Sequence, residues 1–235
     1  MTNVFKVNNI SIVKKKNNFE LNIKKKNNYS PFLFDSLKLS ENLTVLSEMK
    51  CLESGNCKMT FNAQNVLSLP TLISSNYLDY NQLAGLFLNI KNQLLFLKDN
   101  SIGVLFLNLN DIVFIESNNK FCFLFLNINN LYEVEDNNII VNNSFDKKNK
   151  NNFLSPELLN INSIPFEVDY RCAFYSLSNL IAFCIKGQKL DIFKPIDWEY
   201  DDYKSLLEPI DNTKLYWALL RAHEINPYDR YLLWI

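Results

Sequence analysis

The chain has 235 residues, 48% of them hydrophobic and 14% aromatic, with a formal net charge of -1. That much apolar side chain can build a sizeable core and excludes a disordered chain, while the near-neutral balance argues against a surface devoted to polyanions. With only 4 Gly and 7 Pro the sequence lacks the punctuation of a many-turned all-β fold, so helix is expected in its second half.

Residues 4–29 alternate short apolar pieces, Ile10-Ser11-Ile12-Val13 and Phe19-Glu20-Leu21-Asn22-Ile23, with lysine and asparagine turns, and predict a β-hairpin or meander. Leu43, Leu46, Met49 and Leu52 then recur near helical spacing, with Ser40 as a cap and Gly55 as a stop, and predict a helix. Residues 62–76 read as one or two strands interrupted by Pro70. The clearest helix starts at Asp79, which makes a capping box with Gln82, and runs through Leu83, Leu86, Phe87, Ile90, Leu94 and Leu97. Short strands are expected at 103–107, 112–115 and 121–126, an exposed loop at 142–152, and helices near 170–186, 201–208 and 213–224.

The five cysteines, Cys51, Cys57, Cys122, Cys172 and Cys184, show no Cys-x-x-Cys spacing and no neighbouring His, so reduced thiols and no zinc site are expected. The longest apolar runs, such as 121–126, fall short of the roughly 18 residues of a membrane span, and no apolar leader follows the first residues. A cytoplasmic location without a membrane is the expectation. His223 is the sole histidine, and its helical position beside Glu224 suits a satisfied or exposed side chain better than a nucleophilic machine. The acids from Asp197 to Asp202 lack the spacing of a calcium loop and read as solvated, so no metal is expected. Two lysine runs, Lys14, Lys15 and Lys16 and then Lys24, Lys25 and Lys26, are the places where a polyanion could be held, though such runs commonly cap hairpins.

Three segments carry a resemblance. Phe153-Leu154-Ser155-Pro156-Glu157 resembles the Ala-Pro-Glu motif that closes a kinase activation segment, and Tyr175-Ser176-Leu177-Ser178 resembles the helix beginning Asp-x-Trp-Ser-Leu-Gly. Leu219-Leu220 followed by Asn226-Pro227-Tyr228-Asp229-Arg230 is similar to the leucine-rich helix and Asp-Pro-x-x-Arg ending of a kinase C-lobe. On these residues the chain resembles the protein kinase family over about 79–235, and its losses look like those of degenerate kinase-like proteins of large DNA viruses. The resemblance implies an α+β, two-lobed fold, with a small β-rich N-lobe over 1–78 and a mainly helical C-lobe over 79–235. It also implies a structural ion pair between Glu157 and Arg230, with Ser155, Pro156, Ser176, Leu177 and Pro227 as fold-motif positions.

The same alignment implies lost catalysis. It puts Val104, Leu105 and Phe106 in place of His-Arg-Asp, Asp111 at the asparagine of the catalytic loop, Leu124 at the metal-binding Asp of Asp-Phe-Gly, and Ala173 at the Asp that ties the loop down. With glycine only at Gly55, Gly85, Gly103 and Gly187, no phosphate-covering glycine loop can form. The expectation is a pseudokinase: no catalytic residues, no cofactor or metal, no ATP binding, and a scaffold role toward a protein partner in the host cytoplasm or a virion. Two alternatives stand beside it. One is a divergent serine/threonine kinase using displaced residues such as Asp99, Asp111 or Asn127; the other is a nucleic-acid or assembly-binding protein working through the lysine runs.

Overall fold

Alternation of apolar and polar residues dictates the first third of the chain. The computed structural model describes residues 2–16, 18–24, 28–40, 43–51, 56–75, 78–186 and 200–234. Lys25, Lys26, Leu52, Gly55, Asp191, Asp197 and Glu199 lie outside the described residues. Strands β1 (Thr2–Val7), β2 (Ile10–Lys14) and β3 (Phe19–Ile23) form an antiparallel meander. Helix α1 (Ser30–Leu37) follows, then β4 (Thr44–Cys51) and β5 (Cys57–Asn62) complete a five-stranded sheet in the order β1-β2-β3-β5-β4. One face of it, with Ile10, Ile12, Phe19, Leu21, Ile23, Met59 and Phe61, is buried.

Two expectations fail in this region. Where a helix is expected through Leu46 and Met49 the chain forms strand β4, and the helix lies earlier, where Pro31 in the first turn of α1 and buried Leu33, Phe34 and Leu37 define one apolar side. Pairing between β4 and β5 shifts register at Val45/Ser47 and again at Ser47/Lys50. Such bulges interrupt the two-residue period, so apolar residues three apart mimic a helix. Pro70 likewise does not interrupt a strand: β6 (Asn65–Ser68) ends before it, and it sits in the first turn of α2 (Leu69–Ser75), where a missing N–H costs nothing.

Helix α3 (Tyr80–Asp99) begins at the capping box, with Asp79 accepting from the Gln82 N–H at 2.8 Å and Gln82 Oε1 accepting from the Asp79 N–H at 3.1 Å. Its inward side packs on the hairpin of β9 (Ile112–Ser117) and β10 (Lys120–Phe125), reached through β7 (Ile102–Val104) and β8 (Leu107–Asn108). Asn118 and Asn119 both hold positive φ in the two-residue turn of that hairpin, a conformation asparagine tolerates. Gly85 is where α3 approaches β10 most closely, since a Cβ there would lie 2.6 Å from the Phe121 ring. Gln93, buried in the same helix, donates to Ser36 Oγ of α1 at 3.1 Å and accepts from the Phe125 N–H at 2.8 Å. One side chain thereby ties the first helix, the long helix and the hairpin together.

A second hairpin, β11 (Leu131–Glu135) and β12 (Asn138–Val141), turns at Asp136 and Asn137, again at positive φ. The expected loop at 142–152 is mostly exposed but ends in β13 (Asn152–Phe153), which pairs with β8 and buries Asn152. Helix α4 (Pro156–Leu159), strand β14 (Phe166–Asp169) and helices α5 (Cys172–Lys186), α6 (Tyr200–Leu207) and α7 (Lys214–Ala222) complete an α+β arrangement. Among the described residues no helix is long and apolar enough to cross a membrane.

Candidate functional site

The segment between β7 and β9 is held from below by α5. Cys172 Sγ donates to the Leu105 carbonyl at 3.0 Å, and Ser176 Oγ accepts the Leu107 N–H at 2.7 Å. Asn108 then caps a single 3₁₀ turn, Leu109–Asp111, by accepting from the Asn110 N–H at 2.8 Å. The turn delivers Asp111 to the start of β9, where its carbonyl accepts the Leu126 N–H at 2.8 Å and its side chain is 2% exposed.

Opposite Asp111 stands Asn127, the second residue after β10. Its Nδ2 donates to Asp111 Oδ2 at 2.7 Å, while its Oδ1 accepts from the Asn129 N–H at 3.0 Å and from Asn8 Nδ2 at 3.1 Å. Asn8 lies at φ 46 in the turn between β1 and β2, so the tip of the sheet reaches down onto this pair. The three side chains form one chain of hydrogen bonds, Asn8 to Asn127 to Asp111. Burial pushes the Asp111 carboxyl up to about 7, and the Asn127 amide pulls it back only in part. Removing the carboxylate from water thus outweighs the single bond that favours its charge.

Asp111 and Asn127 are the groups here that could hold a cation, and among the described residues no cluster of three or more His, Cys, Asp or Glu could do so. One buried carboxyl and one amide whose oxygen is already shared make a poor cage for a hard divalent ion. The inner side of β3 carries Phe19, Leu21 and Ile23, and no lysine.

The aligned positions fall as follows. Phe106 is half-buried, its ring 5.4 Å from that of Phe145, and its carbonyl accepts from Asn130. Leu124 is paired with Val113 inside β10 and lines a small crevice with Ser36, Leu39 and Gln93. The residue that meets Asp111 is Asn127, three positions later, because the strand continues through Phe125 before the chain turns. Ala173 is buried, and the tie to the loop comes from Cys172 and Ser176 on either side of it. Asp99 is at the end of α3, 3.9 Å from Lys98 and unconnected to the pair.

Glu157 and Arg230 meet. Arg230 is fully buried and donates from Nη1 and Nη2 to the two carboxylate oxygens at 2.5 and 2.9 Å. Its remaining donors reach the carbonyls of Glu224 at 2.6 Å, Ile225 at 2.7 Å and Arg171 at 3.4 Å. Pro156 opens α4 and puts Glu157 in its first turn, Ser155 is its buried N-cap, Leu177 is in the core, and Pro227 opens the 3₁₀ turn that leads into Arg230. His223 is neither exposed nor satisfied. It caps α7, buried between the rings of Tyr175 at 4.3 Å and Tyr203 at 3.5 Å, with no partner for Nδ1. Burial, then the nearby Arg230 charge, hold it down at about 3, so it stays neutral and unfit to relay protons.

Of the lysine runs, Lys25 and Lys26 lie outside the described residues, and β3, about 13 Å from end to end at ~3.3 Å per residue, stands between the first run and Lys24. Lys14 sits over the Phe19 ring at 5.8 Å and Lys15 pairs with Glu20 at 3.5 Å, whereas Lys24 follows the far end of the strand and Lys16 is exposed. The thiols of Cys122, Cys172 and Cys184 are free, but Cys57 is disulfide-bonded, which corrects the expectation of reduced thiols throughout. No protein-family model matches the chain, and no curated protein matches it.

Proposed function

We propose that this chain is a catalytically silent, protein-kinase-like binding module. The element order of strands, helix, strands, long helix, paired short strands, loop and helices supports the family reading, as does the bidentate bond between Glu157 and Arg230. On that reading the two positions that would hold Mg²⁺ have exchanged residues, with Asp111 where asparagine belongs and Asn127 where aspartate belongs.

The observation that carries the conclusion is the chain of hydrogen bonds in which Asn8 from the β1–β2 turn bonds Asn127 and Asn127 bonds Asp111. On the kinase-like reading, the polar groups that would face a nucleotide phosphate and its metal are engaged with each other instead. Phe106 offers no base, and general-base assistance alone is worth roughly 10²–10⁴ in rate. A binding role is supported by the C-terminal segment, where Ile225, Tyr228, Tyr231 and Leu233 leave large apolar side chains exposed and could seat a protein partner, in a host cytoplasm or a virion.

The exchange of Asp and Asn favours one second reading, because it preserves one carboxylate and one amide: a divergent serine/threonine kinase that opens by breaking the Asn8 contact. Incubation with labelled ATP, Mg²⁺ or Mn²⁺ and a generic protein acceptor separates the two. The expected result is incorporation no higher than in the protein-free control. Transfer that disappears in Asp111→Asn would establish the kinase instead.

A further inference from the structure

We propose that the outer face of the five-stranded sheet is a binding site for anions that carry two or more adjacent phosphates. This inference rests on strand register and on the cavity that opens on that face, and stands or falls independently of the kinase-like reading.

Ladder pairing puts Lys6 opposite Ser11, Ser11 opposite Asn22, Asn22 opposite Lys58 and Lys58 opposite Lys50. The five residues are one rung across all five strands, about 19 Å long at ~4.8 Å per strand. Lys6, Lys50 and Lys58 are exposed, and the partly buried Ser11 and Asn22 lie between them. Lys50 and Lys58 are direct cross-strand neighbours, and like charges in that position destabilise a sheet. A fold gains nothing from this arrangement unless something negative lies across it.

The surface is also concave. A cavity of about 380 Å³ opens on this face, lined by Lys6, Lys24 and Lys58 with the amides of Asn9, Asn22 and Asn56, and among the described residues no carboxylate lines it. In a chain with 25 acids and 24 bases, such a lining is a local excess of positive charge. Glu20 is 3.5 Å from Lys15 and 3.9 Å from Lys58 and so offsets part of the Lys58 charge. Among the described residues no carboxylate lies within ion-pair distance of Lys6, Lys24 or Lys50. Ammonium groups and amide donors suit phosphate oxygens. No aromatic side chain lines the cavity to stack a base, so phosphate and not base identity would be recognised.

The shared chemistry, clustered phosphates, can come from a small polyphosphate or from a nucleic-acid strand. The test titrates the full chain with tripolyphosphate by calorimetry and with fluorescent oligothymidylate by anisotropy, at about 50 mM salt, where phosphate contacts are strong. The triple variant Lys6→Gln, Lys24→Gln, Lys58→Gln is compared with the control Lys98→Gln, which lies far along the chain on α3. Wild type and control are expected to bind, and the triple variant to bind at least about tenfold more weakly while unfolding at no lower temperature, since its changes relieve repulsion. Preference for oligothymidylate, with a salt slope that falls by about 0.7 per lost phosphate contact, would assign a strand; preference for tripolyphosphate would assign the small anion. Binding of neither probe, or binding that the triple substitution leaves unchanged, overturns the proposal.

Discussion

Replacing Glu157 with Ala is expected to destabilise the chain by about 3–5 kcal/mol, the range for removing one partner of a buried ion pair. The reason lies in the survivor. Arg230 is 0% exposed and packs its guanidinium 5.0 Å from the Tyr175 ring, while Glu157 is 22% exposed, so water entering from the Glu157 side would replace the lost oxygens only in part. Guanidinium cannot shed its proton to escape the penalty. Its other bonds, to the carbonyls of Glu224, Ile225 and Arg171, fix the last turn of chain against α5 and α7, so the damage would spread to the packing of Tyr175 and His223. Glu157→Gln keeps one acceptor and should recover part of the loss. Urea unfolding of both variants measures the effect; a loss below about 1 kcal/mol would place the pair with ordinary surface ion pairs.

Asp111→Asn is expected to do the opposite and stabilise the protein above neutral pH. In the unfolded chain an aspartate titrates near 3.9, whereas burial raises Asp111 to about 7 in the fold. Between these values the folded state holds a proton that the unfolded state has released, so stability falls as pH rises through that window. The integrated loss is on the order of 4 kcal/mol, present in full only above about pH 7. Asparagine carries no titrating group and can still accept the Asn127 amide bond. Parent and variant should therefore be nearly equal in stability near pH 4 and diverge to several kcal/mol near pH 8, as read by urea unfolding at each pH. A constant difference across the range would mean that Asp111 titrates alike in both states.

These two sites differ in how far the sequence reveals them. Glu157 and Arg230 lie in segments with a recognisable pattern, and each carries a residue type that is costly to bury unless paired, so both could be named and joined. Helix α3 was equally legible, because Asp79 and Gln82 cap it and one apolar stripe runs its length. Strand β4 was not, since its bulges replace the period of two by an irregular spacing, and α1 is only eight residues long. The hairpin of β11 and β12 escaped notice because Tyr132, Glu133 and Glu135 break its apolar run, although Asp136-Asn137 is a turn signal in hindsight.

The Asp111 site was half visible. Asp111 and Asn127 were each singled out through the kinase resemblance, but nothing in the sequence pointed to the bond between them. What decides the matter is where β10 ends, and Phe121-Cys122-Phe123-Leu124-Phe125-Leu126 gives no internal signal for that point. Asn8 was missed altogether. Its contact spans 119 positions of sequence and depends on how the sheet sits over the hairpin, which local pattern does not encode.

The most direct test of the pairing of buried Asp111 with Asn127 is a carbon-13 carboxyl NMR titration of the aspartates, with Asp111→Asn used to assign the Asp111 signal. The account predicts that Asp111 loses its proton near pH 7 and that Mg²⁺ with ATP leaves both its shift and its titration unchanged. An Asp111 signal that titrates near 4, or one that moves on addition of Mg²⁺ and ATP, would show a charged carboxylate open to metal and would contradict it.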